Sequence, residues 1–70
     1  MDTIYVPLLN EGTPVWRPVE ATALTGNKYR VEGEPPGDEE WAFARGSVVR
    51  CEWLTFSGGE RRLTAIGIAD

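Results

Sequence analysis

Apolar and polar residues alternate along most of this chain. "TIYVPLL" (Thr3–Leu9) sets Ile4, Val6 and Leu8 on one side and Thr3, Tyr5 and Pro7 on the other. A period of two predicts a β-strand, and Pro7, which lacks an N–H, puts it at an edge or on an exposed side. "NEGT" (Asn10–Thr13) predicts a turn, with Gly12 free to take a positive φ. "PVWRPVEATAL" (Pro14–Leu24) predicts a second strand with Val15, Val19, Ala21 and Ala23 inward. Arg17 falls on that inward parity, so a bulge or bend is expected near Pro18. Trp16, of opposite parity, is expected at the rim or outside.

"TGN" predicts a tight turn, and "KYRVEG" (Lys28–Gly33) a strand with Tyr29 and Val31 inward. "EPPGDEE" (Glu34–Glu40) is a loop, since its prolines and glycine break regular structure. It is expected to be exposed and the most mobile internal segment. "WAFA" (Trp41–Ala44) predicts a short strand. "VVRCEWLTF" (Val48–Phe56) predicts the longest one. Val49, Cys51 and Trp53 share one face of it while Leu54 and Phe56 take the other. That mixture predicts a bulge near Trp53, or a strand shared by two parts of a barrel. "SGGE" predicts a hairpin turn, and "RRLTAIGIA" (Arg61–Ala69) the closing strand.

No window carries helical periodicity. Five or six short strands in a chain of 70 residues predict a single small domain over residues 1–70. A sheet this small gains by closing, because closure removes open edges. The expected fold is all-β, an antiparallel SH3-like barrel, with an OB-like barrel as the alternative. The expected core is Ile4, Val6, Leu8, Val19, Tyr29, Val31, Val49 and Cys51. Among the aromatics, Tyr29, Phe43 and one of Trp41 or Trp53 are expected inside.

Composition narrows the function. The net charge of −4 disfavours general binding to nucleic acid or to an anionic membrane. No apolar run approaches the roughly 18 residues of a membrane span, and the N-terminus has no basic region or cleavage site. The single Cys51 cannot form an internal disulfide, so a cytoplasmic location is expected. Without histidine there is no ordinary triad and no imidazole base. Cys51 lies in an apolar strand, where it behaves as a small hydrophobe. "GDEE" lacks the alternating ligands of a calcium loop, and "SGGE" lacks the lysine and helix of a phosphate loop. No catalytic residue, metal or cofactor is therefore expected.

The residues "VPLLNEGTPVWRPVEA" (Val6–Ala21) and "RGSVVRCE" (Arg45–Glu52) resemble a signature found in a group of short bacterial proteins to which no activity is attached. The resemblance implies a shared small fold and no particular reaction. What remains is binding. Trp16, Arg17, Trp41 and Arg45 are the candidate binding residues, because Trp and Arg are enriched where binding energy concentrates. The expected partner is a protein, a peptide or a second copy of the chain. The alternative is nucleic acid, met by an arginine face of Arg17, Arg45, Arg50, Arg61 and Arg62. A competing reading of Trp16 is that it plugs one end of the barrel.

Overall fold

The computed structural model describes residues 1–69. Five strands follow the alternating segments: β1 (Asp2–Pro7), β2 (Trp16–Ala23), β3 (Lys28–Val31), β4 (Val48–Thr55) and β5 (Arg61–Ile68). They pair in chain order, and β5 returns to β1, so the expected small all-β barrel is closed. Successive strands are antiparallel, while β1 and β5 are parallel. With five strands running alternately up and down, the first and last must point the same way. Their seam is thin, holding one ladder position, Tyr5 beside Thr64. Among the described residues, no helix is long and apolar enough to cross a membrane.

Ile4, Val6, Val19, Ala21, Val31, Val49, Cys51 and Ala65 form one buried cluster. Six of the eight expected core residues are in it. Leu8 and Tyr29 are half-buried instead. Leu8 lies past the end of β1, where it bridges Trp41; Tyr29 packs against the cluster from its margin. Cys51 is 1% exposed. Burial pushes its thiol up to about 11 from 9.0, so at neutral pH it stays protonated and serves as packing.

Three local expectations are corrected. No bulge occurs at Pro18: the β1–β2 register runs unshifted from Asp2–Ala21 to Pro7–Trp16. Glu20 turns its carbonyl toward β3, accepting the Glu32 N–H at 3.0 Å. Two residues back, Pro18 faces the same side, beyond the last β2–β3 pair, so its missing N–H costs no ladder bond. The bulge expected near Trp53 lies at Arg50/Cys51. Arg50 faces Gly67 and Cys51 faces Ala65, which leaves Ile66 as the extra residue on β5. "WAFA" is not a strand. Trp41 makes one isolated bridge to Leu8, and the Ala42 N–H donates to Pro7 O at 2.9 Å. The chain crosses the end of the barrel there, touching the end of β1 through this single bridge, and does not continue as a strand.

Strand lengths are unequal, with eight residues each in β4 and β5 and four in β3. β3 reaches only Val48–Arg50 of β4. The rest of the β4–β5 hairpin projects beyond it.

Candidate binding surface

The barrel has two mouths, and the sequence treats them differently. At the first, Arg17 keeps its inward parity and emerges past Val6, its neighbour across the ladder. Its guanidinium grips Glu39 with two hydrogen bonds, one of them Nε to Oε1 at 3.2 Å. The Trp41 Nε1–H donates to the same Oε1 at 3.2 Å. Trp41 packs against the core cluster. Its ring lies so close to Gly33 that a Cβ there would sit 3.3 Å from it. This end is therefore capped by an indole, held by a carboxylate, held by an arginine.

Glu39 is the exception in an otherwise exposed loop, with its side chain 10% exposed. The hydrogen bonds from Arg17 and then Trp41 hold its carboxyl below the ordinary 4.5. The bond to Glu39, followed by its charge, raises Arg17 in return. A carboxylate with a lowered folded pKa stabilises the fold above the unfolded value, and that contribution is lost as pH falls through the folded one. Denaturant unfolding is expected to show the advantage of wild type over Glu39→Gln at pH 7 shrinking as pH drops below 4.5. An advantage constant down to pH 3 would show that the cap does not depend on the charge.

The second mouth has no such cap. Asp2, Tyr29, Trp53, Arg61 and Leu63 line a hollow of about 530 Å3 where β1 and β5 part. The ladder places Trp53 opposite Leu63 and on the parity of Cys51, so its side chain has core orientation. Yet Trp53 is 59% exposed, because the hairpin has carried it past the end of the barrel. The Arg61 guanidinium lies 5.9 Å from its ring centre and, among the described residues, is in no ion pair.

The hairpin tip folds over the outer face of β1 and β2. Trp16 meets Phe56 edge to face, with ring centres 5.0 Å apart. Arg62 lies over Tyr5 at 4.8 Å and over Phe56 at 5.5 Å, while its Nη2 pairs with Glu60 at 2.9 Å. Tyr5, Trp16, Phe56 and Arg62 line a second hollow of about 360 Å3. Tyr5, Glu60 and Arg62 border both hollows, so the two make one surface.

The four residues picked out in the sequence are thus distributed among three places. Arg17 and Trp41 meet on Glu39 at the capped mouth. Trp16, next to Arg17 in sequence, points to the opposite face and is half-buried against Phe56. Arg45 stands apart, paired with Glu34 at 2.6 Å. Compared with family models, curated proteins and solved structures, the chain has no match. Sequence reasoning left out Trp53, Arg61, Arg62 and Phe56 as a group. One signal could have found them. The apolar run at Val48–Phe56 is far longer than "KYRV", so part of it had to outrun its neighbour and leave a tryptophan uncovered.

Proposed function

We propose that this chain is a non-catalytic cytoplasmic binding module that takes a protein or peptide segment on the surface joining its open mouth to the outer aromatic face. The observation that carries the reading is Trp53: an indole of core orientation, 59% exposed, beside an arginine that has no carboxylate partner among the described residues. Leaving so large an apolar ring in water calls for a partner. Trp16, Phe56 and Tyr5 extend the surface, and Arg62 stacks on two of their rings. The nucleic-acid alternative draws less support. Arg17, Arg45 and Arg62, three of the five arginines of its expected face, are each held by a glutamate of this chain.

Selection from a phage-displayed library of random peptides tests the reading. The wild type is expected to enrich one related set of sequences. Trp53→Ala should lose that set, and Glu34→Gln, far from the surface, should keep it. No enrichment above blank beads, or the same peptides retained by Trp53→Ala, would contradict the proposal.

A further inference from the structure

The projecting hairpin leaves part of β4 with a partner on one side only. The Phe56 N–H donates to Glu60 O at 2.7 Å, so Phe56 turns its main chain toward β5. The Cys51 N–H donates to Asn27 O at 2.9 Å, so Cys51 turns its main chain the other way. Alternation along a strand then settles the residues between them. Leu54 and Glu52 face β5. Trp53 and Thr55 direct their N–H and C=O groups to the side where β3 has already ended. Among the described residues, no main-chain partner meets those groups.

Proteins guard such edges with lysine, proline, a bulge or a covering loop. Between Cys51 and Thr55 there is no lysine or proline, and the bulge lies before this segment. Glu52 is the one charged residue. A hollow of about 290 Å3, lined by Trp16, Leu54, Thr55, Phe56 and Ser57, lies alongside.

We propose that this edge of β4 pairs antiparallel with the same edge of a second copy, joining two barrels about a two-fold axis. The occupant follows from self-complementarity. A two-fold axis perpendicular to the sheet brings a residue opposite itself or opposite one of the same parity. Centred on Leu54, it sets Leu54 against Leu54, Trp53 against Thr55 and Glu52 against Phe56, and leaves Cys51 on Asn27. No like charges meet, and an aromatic ring faces a β-branched side chain, Trp53 against Thr55, on each side of the axis. The main-chain groups match as well: each Trp53 N–H meets the other Thr55 C=O and each Thr55 N–H meets the other Trp53 C=O, while Cys51 keeps its own bond to Asn27. Centring on Glu52 would oppose two carboxylates, so that register is disfavoured. This pairing uses the backbone of Trp53, whereas the surface described above uses its indole, so the two proposals stand separately.

The test is sedimentation equilibrium from about 10 µM to about 1 mM, the range in which mass action shifts a weak dimer, with amide exchange read alongside. The mass is expected to rise with concentration from 7.8 kDa toward twice that value. The Trp53 and Thr55 amides should gain protection over the same range. A synthetic chain with an N-methyl group on the Thr55 nitrogen keeps every β4–β5 bond and should stay monomeric with an unchanged circular-dichroism spectrum. A monomer at every concentration, or a dimer whose Trp53 and Thr55 amides remain unprotected, would overturn the proposal. These two wild-type readings hold even if the synthetic variant fails to fold. Whether peptide selection succeeds has no bearing on either.

Discussion

Replacing Ile4 with alanine is expected to unfold a large part of the protein. Ile4 is fully buried at the centre of the only cluster of buried apolar residues in the described barrel. Truncating a buried isoleucine typically costs about 2–5 kcal/mol, from lost transfer energy plus the cavity left behind. A chain of this size has a stability of only about 4–10 kcal/mol. Its core partners are valines, alanines and one cysteine, short side chains that cannot swing in to refill the space. The urea midpoint should fall by roughly half of its wild-type value, given the typical cost and the small total. A midpoint within error of wild type would show that the register of β1 is misread.

Trp41→Ala is expected to have the second largest effect. Its indole is the cap of one mouth, lying on Gly33 and on the core cluster. Its Nε1–H is one of the two groups that hold Glu39. Removing it opens the core to water and leaves the Glu39 carboxylate on Arg17 alone. A half-buried tryptophan at such a place should cost about 2–4 kcal/mol, somewhat less than full burial would. Trp53→Ala should behave differently. Trp53 is mostly in water, so its loss should change stability by less than about 1 kcal/mol, as surface substitutions usually do.

Much of this architecture was legible in the alternation of residues. Ile4 and Val6, Val19 and Ala21, Val31, and Val49 with Cys51 all lie inside, where parity placed them. Period-two patterns report which face a residue takes, and a closed barrel needs little more. They do not report where a strand outruns its neighbour. Arg17 shows the difference well. Its inward parity suggested a bulge, but the strand is regular and the side chain simply leaves through the mouth to reach Glu39. Trp53 shows the same thing from the other end. It has core parity, and only the shortness of β3 decides that no core is there to receive it. Glu39 was hidden in a run of acids whose composition reads as solvated loop, because its partners lie 22 residues upstream and two downstream. Such long-range meetings are fixed by the closed topology and carry no local signal.

Two tryptophans do opposite work, Trp41 sealing one mouth and Trp53 standing in water at the other. Equilibrium urea unfolding of Trp41→Ala and Trp53→Ala beside wild type tests this most directly. The predicted result is a large drop in midpoint for Trp41→Ala and a midpoint near wild type for Trp53→Ala. A loss for Trp53→Ala equal to or greater than that for Trp41→Ala would contradict the account, since Trp53 would then be part of the core and the second mouth would be closed.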